Sequence, residues 1–178
     1  MVPQENAVAF PYTVSEIVLM GRASFHGPLS FEGQADFDAA QKAMEATDTW
    51  SLADRYFHEL SGGEKQRVMI ARALAQQPEI VLLDEPSAFL DLKHQVQILD
   101  LLRRLNREQG LTIVGALHDL NLAAHYFARL VMLCGGKIYR DGSPAEVLTE
   151  KTIYDVYGIP VQVQNDSRGR PFLFLFSE

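Results

Sequence analysis

Between Ile80 and Leu117 the hydrophobic pattern changes period twice, and that change restricts the fold more than any other feature of the chain. Ile80 to Leu83 is a continuous apolar run of strand length, Leu92 to Glu108 repeats apolar residues at helical spacing and ends at Gly110, and Leu111 to Leu117 is apolar again. A helix between two buried-looking strands is a crossover unit, so both strands should lie parallel in one sheet with helices on its faces. Strand one ends in Asp84-Glu85-Pro86 and strand two in His118. Parallel neighbours would bring those ends to the same sheet edge, where open α/β sheets bind ligands.

The sequence before this unit reads as helical. Thr13 with Glu16 three residues later is a capping box opening a helix to about Arg22, which Gly21 and the polar residues after it end. Gln34 to Thr47 is a second helix and Trp50 to Tyr56 a short helical turn. From Gly63 a further helix buries Val68, Ile70, Ala71, Leu74 and Ala75 until Pro78 stops it. After the crossover unit, Arg129 to Cys134 and Lys137 to Arg140 form a hairpin around Gly135-Gly136. Short helices follow at Pro144 to Leu148 and Thr152 to Tyr157, and a last pair of strands brackets Asn165 to Arg170.

Composition excludes some functions. With 178 residues, 47% of them hydrophobic, the chain can bury one good core. A net charge of -7 without a basic cluster argues against a nucleic-acid footprint. The lone Cys134 rules out an internal disulfide, fits a reducing compartment, and reads as a small buried residue at a strand end. No apolar run reaches the ~18 residues of a membrane span, and the start has no basic region followed by an apolar core.

Chemistry concentrates in a few short stretches. LSGGEKQR, Leu60 to Arg67, places a serine and two glycines at a helix start, where bare N–H groups and a positive dipole end welcome a phosphate. Asp84 could hold Mg²⁺ and Glu85 could orient and deprotonate an attacking water, or both could simply end a strand before a proline turn. His118 could hydrogen-bond a terminal phosphate, or be structural. Asp91 is placed to cap the helix from Leu92. Gln4 could reach a metal or water through its amide. His26, His58, His94 and His125 read as solvated or packing residues. A Gly-x-x-x-x-Gly-Lys-Ser/Thr loop does not occur in these 178 residues, and Gly136-Lys137 is followed by Ile138.

The order Gln4, LSGGEKQR, LLDEP, SAFLD and His118 resembles the ATP-binding cassette (ABC) ATPases from Gln4 onward, where these are the Q-loop, signature, Walker B, D-loop and switch histidine. LDLKHQ, LHDLNLAAHY, VYGIPVQV and GRPFLF are further similar to importer ATPases for iron-siderophores, haem and cobalamin. Ser87-Ala88 after the Walker B proline is a mild departure, and the absent Walker A a larger one.

The resemblance implies a partial P-loop NTPase core of α/β class, a mostly parallel sheet flanked by helices with an inserted helical subdomain. It divides one incomplete domain into 5–75 (helical and signature), 76–140 (catalytic core) and 141–178 (C-terminal extension). It implies ATP and Mg²⁺ as cofactors, Glu85 and His118 as catalytic residues, Asp84 and Gln4 at the metal, and Gln4, Ser61, Gly62, Gly63, Glu64 and Asp91 at the nucleotide. Ser61, Gly62 and Gly63 would serve the nucleotide of a partner subunit across a head-to-tail dimer. The implied partners are a second ATPase subunit, transmembrane permease subunits docking on the insert from Pro11 to about Leu60, and indirectly a substrate-binding protein. The implied location is the cytoplasmic face of the cell membrane. A truncated, non-catalytic module that donates its signature to an intact subunit is the competing expectation. A soluble cassette protein of DNA repair or translation is disfavoured by the importer-like tail.

Overall fold

A computed structural model describes residues 11–26 and 31–175. Gln4 lies outside the described residues. The chain divides into two compact units, one up to Ala116 and one from Leu117 onward.

In the first unit, α1 (Val14–Leu19) opens on the Thr13 capping box and runs into a 3₁₀ segment, Met20–Phe25. Helix α2 (Gln34–Ala46) and α3 (Gly62–Leu74) pack with α1 into a three-helix cluster around Val14, Ile17, Val18, Ala40, Met44, Val68 and Ile70. Val18 is therefore core and cannot offer a docking surface, while Met20 is half-buried. Gly21 lies inside the 3₁₀ segment and does not stop it. Its glycine is required because a Cβ there would stand 2.2 Å from the Arg72 carbonyl oxygen. Helix α3 ends at Leu74, short of Pro78, and Arg22 takes over its C-terminus: one guanidinium nitrogen donates to the Ala75 carbonyl at 2.9 Å. Arg22 Nε also meets Asp36 Oδ1 at 2.9 Å, and its guanidinium lies 3.9 Å from the centroid of the Phe25 ring. One buried arginine, 8% exposed, thus joins three helical segments.

The Gly33 N–H first, and the Arg22 guanidinium second, hold the Asp36 carboxyl below the usual carboxylate range. A depressed carboxylate contributes stability that is present above its unfolded-state pKa and is lost as pH falls through the lowered folded-state value. Asp36→Asn should accordingly lower the thermal midpoint at neutral pH and flatten its acid dependence. Equal losses at pH 7 and at pH 2 would refute that assignment.

Strand β1 (Ile80–Asp84) pairs in parallel with β2 (Thr112–Ala116), in register from Ile80↔Thr112 to Asp84↔Ala116. The crossover is α4 (Leu92–Gln109), which buries Ile98, Leu99, Leu102 and Leu105 and stops at Gly110 in the left-handed region, φ 66°. The strands are less covered than their apolar runs predict. Val81 and Leu83 are buried, but Ile80 (56%) and Leu82 (49%) are exposed, because β1 presents alternate residues to opposite faces and one face is covered; Val114 (53%), the register partner of Leu82 in β2, lies on the same open face.

The second unit holds α5 (Leu120–Tyr126), β3 (Leu130–Cys134), β4 (Lys137–Gly142), α6 (Pro144–Val147), α7 (Glu150–Tyr157), β5 (Val161–Asn165) and β6 (Pro171–Leu175). Its strands form two antiparallel pairs, β3 with β4 and β5 with β6. The expected glycine turn is present, with Gly135 and Gly136 at φ 57° and 75°. Ala124, Met132, Val147, Leu148, Ile153 and Val161 make its core. Cys134 is exposed, not buried: it is the last strand residue before the turn, on a hairpin rim. Among the described residues no helix is long and apolar enough to cross a membrane.

Candidate functional site

The start of α3 is built by its own sequence. Ser61 is the N-cap, its hydroxyl accepting from the Glu64 N–H at 3.4 Å and donating to Glu64 Oε2 at 2.7 Å, while the Ser61 N–H reaches the same oxygen at 2.8 Å. Those bonds, the hydroxyl's foremost, hold the Glu64 carboxyl below its ordinary range. Since Lys65 makes the first intrahelical bond, to the Ser61 carbonyl, the N–H groups of Gly62 and Gly63 have no partner within the helix. Ser61 and Gly62 are exposed, but Gly63 is buried, in contrast to the fully bare run the composition suggests.

What buries Gly63 is His94. A Cβ on Gly63 would stand 2.6 Å from His94 Cδ2 and 3.1 Å from its Cγ, and one on Gly62 would stand 3.2 Å from a Leu90 methyl. The glycines are thus small because the segment after the acids lies against them. His94 sits in the first turn of α4, whose N-cap is Asp91: Asp91 Oδ1 accepts the His94 N–H at 2.9 Å and lies 2.8 Å from His94 Nδ1. A carboxylate only accepts, so Nδ1 carries the proton of that second bond. The His94 backbone N–H, followed by its ring, keeps the Asp91 carboxyl below the ordinary range. His94 is the residue that the sequence pattern did not single out, since nothing local signals a contact with a glycine thirty-one positions earlier.

Asp84 closes β1 opposite Ala116, half-buried. Glu85 follows with φ 46°, a left-handed backbone that a non-glycine residue adopts at a cost of roughly 1 kcal/mol or more. The surroundings hold it there: the Glu85 N–H donates to the Ala116 carbonyl at 3.1 Å, and the Glu85 carbonyl accepts from Ala88 at 3.0 Å, closing a turn. Strained backbone held by a ladder bond directly after a strand is a recurrent feature of reactive sites. His118 comes two residues after the end of β2, in the second unit, exposed. The next residue, Asp119, caps α5 by accepting the Leu122 N–H at 2.9 Å.

Among the described residues no group of three His, Cys, Asp or Glu side chains could hold a metal ion by itself. Asp84 supplies one carboxylate, a donor set suited to Mg²⁺, which takes one or two protein carboxylates and completes its shell with phosphate and water. It does not suit a metal held by protein alone.

Comparison with known proteins gives a consistent result. A family profile described as ABC transporter matches residues 1–88. The chain is 45% identical to the hemin import ATP-binding protein HmuV of Rhodococcus jostii (strain RHA1), over 92% of its own length and 55% of that protein's. It is 44% identical to the ferric enterobactin transport ATP-binding protein FepC of Escherichia coli (strain K12), over 86% of its length and 57% of FepC. The chain therefore spans less than two thirds of the curated relatives it matches. Among solved structures, a transporter described as of metal-chelate type, in an inward-facing conformation, superposes with a TM-score of 0.90 at 30% identity, covering 99% of this chain and 72% of the other.

Proposed function

The chain belongs to the ABC transporter ATPases, and from that premise we propose that it works in the ATP-hydrolysing subunit of an importer for an iron-siderophore, haem or cobalamin. The relatives' activities, on hemin and ferric enterobactin, support the substrate class. In this reading Glu85 orients and deprotonates the attacking water, His118 hydrogen-bonds the terminal phosphate, and Asp84 and Gln4 would hold Mg²⁺. Mg²⁺ would neutralise charge that builds on the phosphates. Asp91 and Glu64 fix the helix starts beside the nucleotide. The working unit is a pair of ATPase subunits on permease subunits at the cytoplasmic face of the membrane, fed by a binding protein.

The observation that carries the proposal is the pairing of a capped, anion-ready α3 with acids held at the C-terminal end of a parallel strand pair. A Walker A consensus is not found in the 178 residues. The phosphate grip accordingly comes from outside them, and Ser61, Gly62 and Gly63 act on nucleotide held by another subunit. A module that only donates its signature to an intact partner rests on the same missing loop. Hydrolysis by an ATPase that carries both this chain and a Walker A loop would exclude that module.

Titration calorimetry of the 178-residue chain with ATP and Mg²⁺ should give no binding at micromolar concentrations, because the backbone N–H cradle and its lysine are what grip the β- and γ-phosphates. Micromolar affinity would contradict the proposed division of the site.

A further inference from the structure

We infer that His94 is a positioning residue which sets the spacing between the signature at the start of α3 and the D-loop segment at the start of α4. Its functional consequence rests on the reading above, in which both segments face nucleotide. The packing on which it is built does not.

The geometry is that of a clamped plate. The imidazole lies against Gly63 so closely that a single added methyl would overlap Cδ2 and crowd Cγ and Cβ. A histidine could ordinarily swing away from such a contact. Here two bonds to one Asp91 oxygen, from the backbone N–H and from Nδ1, hold both the turn and the ring. Gln95 adds a third restraint, its amide donating to the Leu90 carbonyl at 3.0 Å, and Leu90 in turn lies over Gly62. Leu90, Asp91 and His94 therefore bear on Gly62 and Gly63 as one body. A displacement of the D-loop bears on the backbone of Gly62 and Gly63, whose N–H groups move with it, and the reverse holds as well.

Thermal unfolding of the 178-residue chain tests the packing through a change of sign. Alanine is a better helix former than glycine, so Gly63→Ala would stabilise α3 if nothing stood in the way. In the wild-type background it should instead lower the midpoint by several degrees. In a His94→Ala background, where the plate is gone, the same substitution should raise it. Additive effects of the two changes, with Gly63→Ala costing the same in both backgrounds, would overturn the inference.

The functional arm uses an ATPase that carries both this chain and a Walker A loop. His94→Ala should lower kcat about tenfold while KM for ATP moves no more than about twofold, because the nucleotide is gripped elsewhere. His94→Phe, which keeps a flat ring on Gly63, should recover part of kcat. An unchanged kcat in His94→Ala would show that the spacing is merely structural. An inactive wild-type ATPase would count against the proposed function instead, and the unfolding cycle would still decide the packing.

Discussion

Glu85→Gln, in an ATPase that carries this chain and a Walker A loop, should leave nucleotide binding intact and lower turnover by about 10²–10⁴-fold, the range over which a positioned general base acts. The substitution separates chemistry from structure. Glu85 holds φ 46° through a backbone bond from its N–H to Ala116 and a second from Ala88 to its carbonyl. Glutamine pays the same backbone cost and keeps both bonds, so the fold should not register the change. What disappears is the carboxylate that could take a proton from water. ATP should then persist in the closed dimer, visible as a stable dimer by size-exclusion chromatography with ATP. Near-normal turnover would reduce Glu85 to an acid that merely closes a turn after β1.

The local features of this fold were legible in the sequence because their causes are local. The capping box of Thr13 with Glu16 needs four residues, the stop of α4 needs one glycine, and the parallel pair follows from the length of its crossover. Contacts between distant residues were not legible. Arg22 reads as the end of a helix but bonds Asp36 and Ala75, fourteen and fifty-three residues away. Gly21 reads as a stop signal but admits the carbonyl of Arg72, and Gly63 reads as an open anion seat but admits the ring of His94. The sequence reads Gly21 as a helix stop and Gly63 as part of a bare helix start, whereas at both positions another segment approaches too closely for a Cβ. The strain at Glu85 also left no mark, since LLDEP has no glycine or asparagine at that position to announce a positive φ.

Ser61→Arg, in an ATPase that carries this chain and a Walker A loop, should abolish ATP-driven dimerisation and hydrolysis while each such subunit still binds ATP on its own Walker A. Loss of the cap itself is a minor effect: removing an N-cap serine costs about 1 kcal/mol, too little to unfold a chain of this size. The larger effect is steric and electrostatic. Ser61 and Gly62 are exposed at the start of α3, and a long cation there would occupy the space through which, in the proposed reading, a partner's γ-phosphate approaches the Gly62 and Gly63 N–H groups. The central claim, that this signature works on another subunit's nucleotide, is tested most directly by mixing the Ser61→Arg subunit with a subunit defective in Walker A. In the mixed dimer one composite site pairs a sound Walker A with a sound signature, and the other has neither. Hydrolysis should reappear in the mixture although both parents are inactive. A mixture as inactive as its parents, together with a Ser61→Arg subunit that no longer binds ATP alone, would show that LSGGEKQR serves its own subunit.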